Sequence, residues 1–273
     1  MKKTISFYEN DNIIIDHSYF CTHKINLDFH IHVRCELIFI KSGKLTALMG
    51  DNIYLAKKND LLIFRSNTPH KVSLSPESEY DRYDILFCED NIANGVFNRF
   101  PEHVSCINCS GNEHIIELFS KLDWLCKSFT GDDLGLLLKN TLEEILFVLS
   151  MNINSERDND ILSIHPILSR AIQYINEHYT EQISIDMLCE HLYITKSHLH
   201  HLFKENLKIS PKKYINMRRL AKAQKMIRMG EKPIKVYASC GFVDYASLFR
   251  NYVSYFGYSP SKESELNTDE IFE

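Results

Sequence analysis

The hydrophobic period of this chain changes along its length, and that change limits its architecture more than any single motif does. Between about residues 13 and 90, apolar residues come in short alternating runs. Examples are Cys35-Glu36-Leu37-Ile38-Phe39-Ile40, Leu45-Thr46-Ala47-Leu48-Met49, Asn52-Ile53-Tyr54-Leu55, Leu61-Leu62-Ile63-Phe64 and Tyr83-Asp84-Ile85-Leu86-Phe87. Turn formers such as Ser42-Gly43, Gly50-Asp51 and Asn59-Asp60 separate them, so they read as antiparallel strands of a small barrel or sandwich. The spacing then turns helical. Ile115, Leu118, Leu122 and Leu125 make one stripe, and Leu134, Leu138, Leu142, Ile145 and Leu149 make a second. This hairpin carries more apolar surface than two helices bury, and the surplus must pack on the strands or on a second subunit.

The polar, aperiodic stretch 152–164 reads as a linker between a first domain over 1–151 and a second over 165–262, with an acidic tail over 263–273. Charge divides along the same lines. Residues 165–262 hold 15 Lys and Arg against 7 Asp and Glu, whereas 1–164 hold 16 against 24 and the tail none against 5. A basic block of that size points to a polyanionic partner. No apolar run approaches the ~20 residues of a bilayer span, and the eight cysteines are too dispersed for a disulfide scaffold. The expectation is a cytoplasmic protein without membrane contact.

The basic block is built from short capped helices. Ser184 caps one through His191 and Thr195 the next through Asn206, leaving only Leu192-Tyr193-Ile194 between them, which is helix-turn-helix geometry. In the second helix Leu199, Leu202, Phe203 and Asn206 share the docking face, while Ser197, His200, His201 and Lys204 share the opposite one. Ser210-Pro211 opens a long helix through Met229, stopped by Gly230 and carrying Arg218, Arg219, Lys222 and Lys225. After Pro233 a second short unit follows, with a turn at Gly241-Phe242-Val243, a cap at Asp244 and a helix to Phe256.

These residues resemble the AraC/XylS family of bacterial transcription regulators. Leu199-x-x-Leu202-Phe203-Lys204, Ser210-Pro211-x-x-Tyr214-Ile215, Arg219 and Ala223 fit the first half of the signature. Gly241-Phe242, Ser247-Leu248, Arg250, Phe256-Gly257 and Ser259-Pro260 fit the second. The resemblance implies two helix-turn-helix units bridged by one helix, each inserting a helix into successive major grooves. The DNA-contacting residues then expected are Lys196, Ser197, His198, His200, His201, Lys204, Arg218 and Arg219 from the first half and Tyr245, Ala246, Phe249 and Arg250 from the second. Two departures stand out. The stretch from Ile234 to Gly241 is one residue short, and Tyr252-Val253-Ser254 replaces a Phe-Lys-Lys that would supply two phosphate partners.

In the first domain His30, His32, Arg34 and Glu36 share parity, so on a strand they project from one face. With Asp60 and Pro69-His70 they resemble the cupin barrel, where such residues can hold a divalent metal, and which is a sensor commonly joined to AraC-type modules. We expect no metal or other cofactor here. His30, His32, Arg34, Glu36 and His70 are expected to line an effector pocket, with Arg34 suited to a sugar or a small carboxylate. The lone Cys106-x-x-Cys109 pair reads as structural thiols.

The fold class expected is therefore α+β, a cupin-like β-barrel with a helical hairpin followed by an all-α double helix-turn-helix domain. The chain reads as a ligand-responsive, sequence-specific DNA-binding regulator rather than an enzyme. Its expected partners are double-stranded DNA, a small-molecule effector, a second copy in a homodimer and, for an activator, RNA polymerase. The alternatives are a metal-dependent cupin enzyme fused to a DNA-binding module, and a constitutive DNA binder whose barrel only dimerises.

Overall fold

The computed structural model describes residues 2–21, 29–49, 52–74, 79–101, 104–151, 161–163 and 165–264. Among these described residues, ten strands form two antiparallel sheets. One has the order β1 (Lys2–Glu9), β2 (Ile13–Cys21), β8 (Glu79–Phe87), β3 (Cys35–Ser42), β6 (Asp60–Phe64) and β9 (Cys106–Asn108). The other runs β10 (Ile161–Ser163), β5 (Asn52–Lys57), β4 (Lys44–Met49) and β7 (His70–Leu74). The expected closed barrel is corrected by this pairing. Among the described residues no named strand of one sheet pairs with a strand of the other, so the domain is an open two-layer arrangement of cupin-like character.

Side-chain alternation builds two cores on either side of β3 and β6. Leu37, Phe39, Leu61 and Ile63 face the helices, while Ile38, Ile40, Leu62 and Phe64 face the second sheet. Both faces are covered, which is why these strands read as unbroken apolar runs. Helices α1 (Glu113–Ser128) and α2 (Gly131–Met151) lay their stripes on the first sheet, with Phe119 stacked on Phe39 at 4.2 Å between ring centres. The sheet thus takes up the stripe from Leu134 to Leu149. What stays exposed lies elsewhere on the hairpin, at Trp124, Leu136, Phe147 and Met151.

A buried polar pin fastens α1 to the sheet. His17 of β2 is fully buried, with Nδ1 2.8 Å from both oxygens of Asp123 on α1 and Nε2 2.7 Å from Asp81. Asp123 also accepts from Ser6 Oγ at 2.5 Å and Tyr83 OH at 2.8 Å. Burial opposes its ionisation, but these bonds win and hold its carboxyl below the usual value.

The second domain contains α3 (Pro166–His178), α4 (Ile185–Leu192), α5 (Lys196–Leu207), α6 (Pro211–Arg228), α7 (Pro233–Ser239) and α8 (Tyr245–Phe256). Its caps are the expected ones. Ser184, Thr195, Ser210 and Asp244 accept from the backbone N–H groups of Met187, His198, Lys213 and Ser247. Helix α6 ends one residue before the expected Met229, which serves as its C-cap ahead of Gly230 at φ +94°. Gly241 is required on two counts. Its φ is +85°, and a Cβ there would stand 2.6 Å from the Tyr179 carbonyl oxygen.

Two boundaries move. Ile161-Leu162-Ser163, which polar composition assigned to the linker, pairs with β5 as the edge of the second sheet; the rest of that linker, 152–160 and 164, lies outside the described residues. Glu263, assigned by charge to the tail, is fully buried against α6 and α8. It accepts from Arg228 Nε at 2.5 Å, Tyr258 OH at 2.7 Å, Gln224 Nε2 at 3.1 Å and Tyr252 OH. The helical domain extends at least that far.

Candidate nucleic-acid interface and effector site

Helix α5 sorts its side chains as an amphipathic docking helix must. Leu199, Leu202, Phe203 and Leu207 are buried, while Lys196, Ser197, His198, His200, His201 and Lys204 are exposed. Asn206 departs from its expected place on the docking face. It is exposed and donates to the Leu202 carbonyl at 2.8 Å, and Leu207 takes the buried position. Lys196 holds Asp186 of α4 at 2.5 Å across the turn. Tyr193 makes that turn in the left-handed region at φ +56° with its side chain 91% exposed.

Helix α8 buries Leu248 and Tyr252 against α6. Ala246, Phe249 and Arg250 are exposed and Tyr245 is half-buried. Asn251 accepts from Asn216 of α6 at 2.9 Å, and with Glu263 this fixes α8 on the bridging helix.

Arg218 and Arg219 of α6 are placed otherwise than expected. Arg219 donates from Nε to the Tyr179 carbonyl at 2.7 Å and from Nη2 to the Glu181 carbonyl at 2.8 Å, with its guanidinium over Phe242. Arg218 reaches into the first domain and donates to the Asn67 carbonyl at 3.0 Å. Both close the chain upon itself, so a basic helical face overstated the number of phosphate partners. Lys204, Lys208, Lys212 and Lys213 remain exposed.

The parity argument for the first-domain site fails, because β3 begins only at Cys35 and residues 31–34 precede it as irregular backbone. The residues meet by another route. His30 and His70 exchange backbone hydrogen bonds, each at 3.0 Å, and carry the two rings together beside His32. Donor atoms of His30, His32, Glu36 and His70 lie within 4.8 Å of one another. Burial opposes the charge on Glu36, yet His32 and His70 beside it hold its carboxyl well below the usual range. Burial pushes neighbouring Asp84 well above that range, with Glu36 adding to the effect and Arg82 opposing it. Arg34 is not part of this group, since its Nη2 donates to the Asp11 carbonyl at 2.9 Å.

Three imidazoles and one carboxylate suit a borderline divalent cation such as zinc, iron, manganese or nickel. The cluster passes a stricter test. His32 Nδ1 is 2.7 Å from the Arg34 carbonyl and His70 Nδ1 2.8 Å from the Thr68 carbonyl, the outer partners that orient metal-binding histidines. Beside it, Phe29–Ile31 and helices α6 and α8 enclose a cleft of about 730 Å³ walled by His30, Lys212, Lys213, Asn216 and Tyr255. Cys109 is buried and Cys106 half-buried, while the nearby His103 lies outside the described residues.

A model of the AraC-like ligand binding domain matches residues 12–139, and one of a helix-turn-helix domain matches residues 188–265. The lactose operon transcription activator of Staphylococcus xylosus is 26% identical over 151 residues, 55% of this chain and 53% of its own. The HTH-type transcriptional activator RhaS of Escherichia fergusonii is 24% identical over 152 residues, 54% of this chain and 52% of its own. The chain therefore spans about half the length of these curated relatives. YbfI of Bacillus subtilis, an uncharacterised HTH-type transcriptional regulator, is 25% identical over 227 residues, 79% of this chain and 78% of its own. Among solved structures, an apo ToxT variant from Vibrio cholerae gives a TM-score of 0.43 at 13% identity, over 95% of this chain and 99% of that one. With an AraC-like ligand binding module over its sheets and a helix-turn-helix module over its basic helices, the chain is similar to the AraC family of regulators.

Proposed function

We propose that the protein is a transcription regulator that reads two successive major grooves with α5 and α8 and responds to a small ligand held by the sheet domain. One observation carries the DNA reading: two short capped helices leave a polar face uncovered while their apolar faces lock onto one bridging helix. The 18 residues of α6 span ~27 Å at ~1.5 Å each, which with the flanking turns approaches the ~34 Å between grooves. The base-reading set is Ser197, His200 and His201 on α5 and Tyr245, Ala246, Phe249 and Arg250 on α8. Lys196, His198 and Lys204 are the phosphate-side partners of the first unit. Arg218 and Arg219 drop out of the set, because their guanidinium groups serve the fold.

The effector site is the cluster His30, His32, Glu36 and His70, without Arg34. A homodimer through the exposed Trp124, Leu136, Phe147 and Met151, action in the cytoplasm and, for an activator, contact with RNA polymerase complete the proposal. The first domain then covers 1–151 together with the returning edge strand 161–163, and the second runs from 165 to at least 264. Competition binding to duplexes randomised in each half-site tests the reading, which requires a distinct preference in both halves.

A further inference from the structure

The domain junction offers a second place for a ligand. The cleft of about 730 Å³ between Phe29–Ile31 and helices α6 and α8 falls within the ~300–1,000 Å³ of sites that enclose small molecules. It shares only His30 with the cluster His30, His32, Glu36 and His70. Its charge is one-sided. Lys212 and Lys213 of α6 line it, and among the described lining residues none is Asp or Glu. Lys196 and Arg228 of the same domain are paired with Asp186 and Glu263, whereas Lys212 and Lys213 enter no ion pair among the described residues. Two ammonium groups on successive residues at one wall repel each other, and an anion between them removes that cost.

The other walls narrow the chemistry. Ser210 Oγ accepts from the Lys213 N–H at 3.2 Å and the Tyr255 oxygen accepts from the Ile31 N–H at 3.1 Å, so each hydroxyl keeps its own proton to donate. Asn216 gives an N–H to Asn251 Oδ1 at 2.9 Å, which leaves its own Oδ1 as an acceptor on the α6 wall. Donors outnumber acceptors, as an oxyanion needs, and the one acceptor suits a hydroxyl. Phe29, Ile31, Met217 and Leu220 add apolar surface for a short carbon skeleton. Charge then separates two kinds of anion. A carboxylate neutralises one ammonium, whereas a phosphate monoester carries ~1.5–2 negative charges near pH 7 and matches both. Lysine meets phosphate as a point charge, so no forked geometry is required.

We propose that this cleft binds a small hydroxylated phosphate monoester, with Lys212, Lys213 and Ser210 holding the phosphate. Its carbon skeleton lies against Phe29 and Ile31, and Asn216 and Tyr255 are the partners of its hydroxyl groups. The walls come from both domains, so the occupied cleft holds α6 and α8 on the sheet domain. A ligand that binds only this docked arrangement stabilises it by mass action. The chain then has two inputs, one within the sheet domain and one at the helix that bridges α5 and α8.

The test titrates the full chain by calorimetry with glycerol 3-phosphate, ribose 5-phosphate and glucose 6-phosphate, beside glucose, gluconate and inorganic phosphate. At least one ester should bind with a dissociation constant below ~1 mM, about tenfold or more tighter than all three controls, and should raise the thermal midpoint. Lys212→Ala and Lys213→Ala should each weaken that ester by about tenfold without lowering the midpoint of the unliganded chain, since both side chains are exposed. Lys235→Ala, exposed on α7 outside the cleft, should bind it as the unaltered chain does. No ester binding below ~1 mM, or undiminished binding in both cleft variants, overturns the site. Glucose, gluconate or inorganic phosphate binding as tightly as the esters overturns the ligand class. Replacing both lysines should leave the slope of log DNA affinity against log salt unchanged. A loss of about 1.8 from that slope, without any ester binding, would give these lysines to DNA phosphates and overturn the proposal as well.

Discussion

Ile31 donates its backbone N–H to the Tyr255 hydroxyl at 3.1 Å, joining the segment between two first-domain histidines to the last helix of the second domain. Burial pushes the Tyr255 phenol up to about 12, so it stays a neutral acceptor across the physiological range. Removing it leaves a buried N–H without a partner, a cost of about 1–3 kcal/mol. Tyr255→Phe should lower the denaturant midpoint accordingly and, where the interface is the weaker part, separate the unfolding of the two domains in calorimetry. An unchanged, single transition contradicts this.

Glu263 stands where α6, α8 and the chain after Pro260 meet, and accepts from four side chains. Glu263→Ala removes the buried carboxylate that Arg228, Gln224, Tyr252 and Tyr258 share, and breaking one side of a buried pair costs about 3–5 kcal/mol. We expect that loss in equilibrium unfolding, with Glu263→Gln milder because the amide still accepts. In DNA binding the Glu263→Gln chain should keep first-half affinity and lose second-half affinity. Equal losses in both halves would mean that Glu263 does not position α8.

Arg219 makes the opposite case. Its guanidinium holds two carbonyls at the end of α3 and lies over Phe242. Arg219→Ala should lower thermal stability while leaving the slope of log affinity against log salt unchanged. Lys204→Ala should reduce that slope by about 0.9, the release expected for one phosphate contact on duplex DNA. Reversed outcomes would return Arg219 to the phosphate-binding set.

How much of this was legible follows from the range of the forces. Capped helices are local, so Ser184, Thr195, Ser210 and Asp244 announced α4, α5, α6 and α8 within a residue or two. Contacts that join distant segments left no such trace. Nothing near His17 marks it as the partner of Asp123, 106 residues away, and β1 is too polar to stand out by alternation. Strand parity does not bring His30, His32, Glu36 and His70 together, since the His30–His70 bridge assembles them, and it groups Arg34 with them although that side chain turns to the Asp11 carbonyl. Arg218 looked like a phosphate ligand because a helix face cannot say which surface it meets, and Glu263 looked like tail because charge normally signals solvent.

The Asp123 pin has a pH signature. Desolvation raises its pKa but the bonds from His17, Ser6 and Tyr83 lower it further, so its folded value lies below the ~3.9 of a free aspartate. A depressed carboxylate stabilises fully above its unfolded pKa and loses that contribution as pH falls through the folded value. Unfolding of the chain should therefore become easier from about pH 4 downward. Asp81 and Lys41 also face this group, and His17 bonds to both aspartates. Asp123→Asn should flatten the acid limb while lowering stability at pH 7, and an acid limb identical to that of the unaltered chain would remove Asp123 from the account.

The central claim is that α5 and α8 each read one half of a DNA site, and competition binding on half-site libraries tests it most directly. His201→Ala should relax sequence preference in the first half only and Arg250→Ala in the second half only, each costing ~1–3 kcal/mol on the preferred sequence. Lys204→Ala should weaken all sequences alike, because phosphates carry no sequence information. Unchanged selectivity in both His201→Ala and Arg250→Ala would show that neither helix lies in a groove as assigned.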